Sequence, residues 1–215
     1  MWSRQVDLLN AKGYDAVAPD LPGFGDEPMP RASFSFVDFV ENLLPATLVG
    51  NSIGGRIALE TALAHGERVP RLVLVAPGLA GYEFGPELQD YWRLEEELVE
   101  RGDLDTATQL NLDFWVDPAY HELVRPMQRR AFELQTAHEE PALEWPPARP
   151  LSGLAMPTLV VVGDQDEDDM RAIAERIAGD VPNARLEVVQ GAGHLVAIEA
   201  PDAFDELLLE FLESG

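Results

Sequence analysis

The stretch Ala46-Thr47-Leu48-Val49-Gly50-Asn51-Ser52-Ile53-Gly54-Gly55 decides the architecture, because it joins two different periodicities across one turn. Ala46 to Val49 is a short apolar run suited to a buried strand, and the residues from Ile53 to His65 follow a helical pattern. Between them lies Gly50-Asn51-Ser52-Ile53-Gly54, a G-x-S-x-G sequence. Its glycines let the chain turn sharply and leave the Ser52 hydroxyl exposed. A glycine-rich turn can carry the same letters by chance. The strand on one side and the helix on the other are what mark this one as a nucleophile turn. Ser52 is therefore read as the nucleophile, with the backbone N–H of Ile53, at the helix start, aimed where an oxyanion would form.

Outward from this turn, Arg71 to Ala76 and Pro157 to Val162 are continuous apolar or β-branched runs, as expected of central strands covered on both faces. Tyr14 to Ala18 and Arg185 to Val189 add two more strand patterns. Helical spacing appears over 2–12, 34–44, 171–179 and 202–212. This alternation predicts an α/β fold with a mostly parallel sheet and flanking helices. Between Leu79 and Pro150 no comparable strand occurs, and 86–101, 104–115 and 120–138 read as helices. Residues 1–78 and 151–215 are thus expected to form the core and residues 79–150 a helical insertion.

A serine hydroxyl needs a base, normally an imidazole that a carboxylate holds in one tautomer. Of the four histidines, His194 sits in Gly191-Ala192-Gly193-His194-Leu195, a small-residue loop between a strand and the last helix. His65 reads as a helix C-cap, and His121 and His138 fall in the insertion. The carboxylate should follow a strand, and Gly163-Asp164-Gln165-Asp166 does so. Asp166 lies further into the loop, whereas Asp164 is placed to bond locally. Asp164, Asp166, Asp168 and Glu175 also copy the acidic positions of an EF-hand loop, but Asp169 stands where that loop requires glycine. No metal and no cofactor are expected.

Composition narrows the class of function. The chain has 215 residues, 46% hydrophobic and 25% charged, which suits one globular domain with an insertion. The absence of cysteine excludes disulfides, thiolate zinc sites and a thiol nucleophile. A formal net charge of −24 repels phosphate backbones and anionic membranes, so neither nucleic acid nor a membrane is expected as a partner. With no basic-then-apolar leader pattern, the sequence is read as cytoplasmic, with a small-molecule substrate.

These residues resemble the α/β-hydrolase superfamily, in its bacterial branch of small-molecule hydrolases. The motifs Asp20-Leu21-Pro22-Gly23-Phe24-Gly25, the Ser52 turn, Pro157 to Asp166 and Gly191 to Leu195 occur in family order along essentially the whole chain. The resemblance implies that 79–150 is a cap over the active site. Asn51 before the nucleophile is similar to the carbon–carbon bond hydrolases of aromatic ring cleavage. Those usually carry Trp after the catalytic histidine, where this chain has Leu195. Gly193-His194-Leu195, with 111–117 and 127–135, looks more like the enol-lactonase-like members. Ester or lactone hydrolysis through Ser52, His194 and Asp166 is the expected activity. Carbon–carbon bond hydrolysis and a non-enzymatic ligand-binding role are the alternatives. Asn51, Ile53 and Leu195 are the expected oxyanion and substrate-contacting positions. Arg125, Arg129 and Arg130 could pair with a carboxylated substrate, although ordinary helix-surface arginines explain them more simply.

The resemblance also implies a strand ending in His-Gly ahead of the first helix, whose loop would supply a second oxyanion N–H. This chain is expected to lack that strand and those before it. In the family sheet it would lie between the strands at Tyr14–Ala18 and Ala46–Val49. Either the sequence is a truncated form of a longer enzyme, or the two flanking strands close up and pair directly. Direct pairing is the expectation for an intact fold.

Overall fold

The computed structural model describes residues 1–138 and 142–214. Four strands form one parallel sheet in sequential order: β1 (Leu48–Asn51), β2 (Leu72–Val75), β3 (Thr158–Gly163) and β4 (Ala184–Val189). Leu48 pairs with Leu72, Leu72 with Thr158 and Thr158 with Ala184, so the four strands start level. Every residue of β2 and β3 is buried, which is why these segments carry unbroken apolar runs, while β1 and β4 are the edges.

Alternation along the two central strands feeds two helical layers. Leu72, Leu74, Val160 and Val162 pack with Leu59 and Ala62 of α3 (Ile53–His65) and with Ile173 and Ile177 of α7 (Asp168–Asp180). Val73, Val75, Leu159 and Val161 face Phe204, Leu208 and Phe211 of α9 (Pro201–Glu213), which follows the short α8 (Val196–Glu199). Each fully buried Val or Leu contributes roughly 1.5–3 kcal/mol, so these strands anchor the molecule. On the α9 side lies α1 (Ser3–Ala11): Trp2 meets the Phe204 ring at 5.9 Å, and Asp205 accepts from Arg4 Nε at 2.7 Å and from Gln5 Nε2 at 2.8 Å. The short α2 (Phe36–Glu41) is capped by Ser35, whose hydroxyl accepts from the Asp38 N–H at 3.2 Å.

Between β2 and β3 the chain forms α4 (Pro86–Glu100), α5 (Leu104–Trp115) and α6 (His121–Gln135). Pro86 opens α4 at its first turn, and Asp103 caps α5 by accepting from the Thr106 N–H at 3.3 Å. No helix among the described residues is long and apolar enough to cross a membrane.

One expectation fails. Tyr14–Ala18 forms no strand and does not pair with β1, although its composition favours a strand. The segment lies on the surface, with Val17 72% exposed, and is held by Asn10, whose side chain bonds both the N–H and the C=O of Ala16. A strand is stable only when its backbone finds a ladder, and none is within reach. Leu48 and Ser52 turn their N–H groups to Arg71 and Val75 of the neighbouring strand. The amides of Val49 and Asn51 therefore face the side where no strand lies among the described residues.

Candidate active site

Ser52 occupies the turn from β1 into α3 with φ 54° and ψ −118°, in the positive-φ region that non-glycine residues avoid. Three backbone bonds hold it there: its N–H donates to Val75 O at 2.9 Å, and its C=O accepts from Arg56 at 3.0 Å and Gly78 at 3.1 Å. Gly50 makes the turn possible. A Cβ at Gly50 would stand 2.2 Å from Gly54 O and 2.4 Å from Gly54 C, both rigid backbone. The result is a serine raised on a strained corner at the C-terminal end of the sheet, beside the first N–H groups of α3.

His194 Nδ1 lies 3.1 Å from both carboxylate oxygens of Asp166. Both residues are about 5% exposed. A carboxylate only accepts, so Nδ1 carries the proton and Nε2 keeps its lone pair free. Asp166 also accepts from the Glu167 N–H at 2.9 Å. Asp164 is used differently: its Oδ1 accepts from the Gly191 N–H at 2.7 Å, which ties the β3 loop to the loop carrying His194. Gly163 allows that contact, since a Cβ there would meet Ala192 O at 2.0 Å.

The two halves of the site meet through Asn51, whose Nδ2 donates to Val75 O at 3.1 Å and to His194 O at 3.3 Å. Its Oδ1 is buried with no donor among the described residues. No hydrogen bond joins Ser52 Oγ to His194 among the described residues; such contacts commonly tighten only when substrate binds. Ile53 begins α3 and is 38% exposed, and Leu195 packs with Leu112, Val116 and Val124 of the insertion.

Two residues at the site gave no signal in the sequence. The Trp115 ring sits 4.3 Å from the His194 ring, tilted by 39°. It is buttressed by Phe114 at 4.8 Å and by Tyr91 at 5.7 Å. Burial pushes the Tyr91 hydroxyl pKa up, and that hydroxyl donates to Glu95 while accepting from Asn111. Glu199 accepts from the N–H groups of Gly193 and Asp117 and so bridges the His194 loop to the end of α5. Both contacts join segments far apart in the chain, and no local period encodes them.

A cavity of about 160 Å³ opens beside His194 and Asp166, with Trp115, Glu167 and Glu199 among its walls. Burial raises the Glu167 carboxyl above the usual carboxylate range, and the nearby charges of Glu87, Asp166 and Asp168 add to this against an opposing effect of His194. The remaining histidines are engaged elsewhere: His65 lies 3.7 Å from Glu41, His121 contacts Val116 O, and His138 contacts Met29 O. Arg125 bonds Gln109, Arg129 pairs with Asp105 and Glu133, and Arg130 lies 3.8 Å from Glu133. All three are taken up within the insertion.

Comparison with known proteins gives a consistent picture. The model of the "Alpha/beta hydrolase family" matches residues 1–207. The chain is 30% identical to a 2-hydroxy-6-oxo-6-phenylhexa-2,4-dienoate hydrolase from Burkholderia cepacia, over all of this chain and 83% of that protein. It is 29% identical to a 2-hydroxymuconate semialdehyde hydrolase from Pseudomonas sp. (strain CF600), over 94% of this chain and 77% of that protein. Among solved structures, the enol-lactonase from Burkholderia xenovorans LB400 superposes with a TM-score of 0.75 at 21% identity, covering 99% of this chain and 86% of that one.

Proposed function

Because the chain belongs to the alpha/beta hydrolase family, we propose that it is a serine hydrolase of a small carbonyl compound, an ester or lactone, acting through an acyl-enzyme on Ser52. Residues 1–78 and 151–215 form the catalytic core, and 79–150 a cap over it. The observation that carries this reading is the buried pair in which both Asp166 oxygens engage His194 Nδ1, leaving Nε2 free on the same sheet end as Ser52.

In this reading Ser52 Oγ attacks the carbonyl carbon while His194 Nε2 takes its proton. The Ile53 N–H donates to the oxyanion, and the leaving group departs with the proton returned by His194. Water then hydrolyses the acyl-enzyme by the same route in reverse, and Asp166 keeps the imidazole in one tautomer throughout. Phe114 and Trp115 are the aromatic walls of the cavity beside the base, and Asp117, Gln165, Glu167 and Glu199 border the same cavity, so the group bound there meets an apolar face and a polar rim.

A second reading, hydrolysis of a carbon–carbon bond in a ring-cleavage product, uses the same residues. Asn51 ahead of the nucleophile favours it, as do the names of the relatives that match along nearly the whole chain. Turnover of a short activated ester and of a dienol-dienoate, in wild type and Ser52→Ala, separates the readings. Ester turnover lost in Ser52→Ala supports the first, and dienol-dienoate turnover without ester turnover the second. Failure of wild type to react with a fluorophosphonate at Ser52 would sink both and leave a ligand-binding protein.

A further inference from the structure

Away from Ser52, a second cavity of about 330 Å³ lies between α3 and α7 under residues 148–152. That volume sits at the lower end of small-molecule sites, ~300–1,000 Å³. Leu59, Leu63, Leu79 and Leu151 give it an apolar wall, into which α3 sets Glu60, while Arg149, Arg176 and Asp180 also line the cavity. Glu60 is only 5% exposed and makes no hydrogen bond or ion pair among the described residues.

The cations nearby do not serve it. Arg56, one turn earlier on α3, lies over the Trp145 ring at 3.9 Å, and its Nε is itself buried without an acceptor among the described residues. Arg149 donates to Leu63 O at 2.7 Å, and Arg176 is 3.7 Å from Asp180. A partly desolvated carboxylate with no hydrogen-bond donor is costly, and burial accordingly pushes the Glu60 carboxyl upward against the weaker pull of Arg56. A ligand that brings a positive N–H donor on a short apolar body would meet both the charge and the leucine wall.

We propose that this cavity binds a small organic ammonium ion, with Glu60 as its counterion and Leu59, Leu63, Leu79 and Leu151 around its hydrocarbon part. Recognition rests on a charge-assisted hydrogen bond to Glu60, since Asp180, the other carboxylate lining the cavity, already faces Arg176 at 3.7 Å. Such an ion needs no help from the Ser52 site, so the proposal stands or falls separately from the hydrolase reading.

The experiment is equilibrium binding of n-butylammonium, n-butanol and butyrate to the full chain near neutral pH, by calorimetry and ligand-observed NMR. The expected result is saturable binding of the amine, with n-butanol about tenfold or more weaker, a ratio typical of losing one charged contact. Glu60→Gln, nearly isosteric, should lose the preference of amine over alcohol. Ala80→Phe, which puts a ring into the cavity wall without touching Glu60, should lose both ligands while the circular dichroism spectrum stays that of wild type. Amine binding unchanged in Glu60→Gln, no amine binding in wild type, or butyrate bound in place of the amine would each overturn the proposal.

Discussion

The two sides of the site are supported very differently. His194 and Asp166 sit on loops joined by the Asp164 bond to Gly191, and the His194 loop is further braced by Glu199 at Gly193 and by Asn51 of β1, beside two strands buried along their whole length. Ser52 stands at the end of β1, an edge strand whose outward amides face no strand among the described residues, and Tyr14–Ala18 remains on the surface. The His194–Asp166 pair is braced by side-chain bonds from several segments, and Ser52 by a single strained turn with three backbone bonds. Each of the three side chains is placed by its own set of local and backbone bonds.

The largest expected effect tests that contrast directly. Amide exchange in β2 and β3 should require global opening, and that of residues 14–18 almost none, a gap of about 10⁴-fold or more in protection. Equal protection in the two places would mean the edge is covered in solution and would break the comparison. Next in size, Asp166→Asn should lower kcat by about 10³–10⁴-fold on whatever substrate is turned over, by fixing the wrong tautomer of His194. A loss confined to KM would contradict the role given to the pair.

On the nucleophile side, Gly50→Ala should destabilise the fold by more than ~3 kcal/mol in chemical denaturation, since the added methyl meets only backbone. A near-neutral result would show that the corner is looser than it looks. Glu199→Gln should reduce kcat about tenfold with KM little changed, because the brace on Gly193 weakens while the substrate contacts stay. Thermal stability and a pH profile would distinguish positioning from unfolding.

The smallest effect concerns Glu167. Its raised pKa means the folded chain holds that proton more tightly than the unfolded chain, so the associated stability is present at low pH and lost as pH rises through the folded value. Glu167→Gln should therefore raise Tm by about 1–3 °C near neutral pH, and by nothing once pH falls below the ordinary glutamate range, ~4. A gain that persists in acid would assign it to packing instead.

Much of this was legible in the residues. The period change at Gly50–Gly54 located β1 and α3, the loop position of Asp166 pointed to the carboxylate that lies against His194, and α5 was read at its observed limits, Leu104–Trp115. These are local patterns, or partners fixed by chain order. Tyr14–Ala18 was misread because strand propensity says nothing about whether a ladder is present. Trp115 against His194, and Glu199 between Gly193 and Asp117, are meetings of distant segments that leave no period in either.

The open side of β1 also bears on how the molecule behaves in a crowd. At Leu48 and Val49, the half-buried part of β1, an edge without a neighbouring strand among the described residues is a template on which other chains can dock, and such pairing feeds precipitation and fibrils. With a net charge of −24, two copies repel before their edges can align. That barrier is made of long-range field, and it shrinks as the Debye length falls from about 10 Å at 0.1 M salt to about 3 Å at 1 M. Colloidal stability of this protein is thus a property of ionic strength: concentrated brine removes the deterrent while leaving the edge in place.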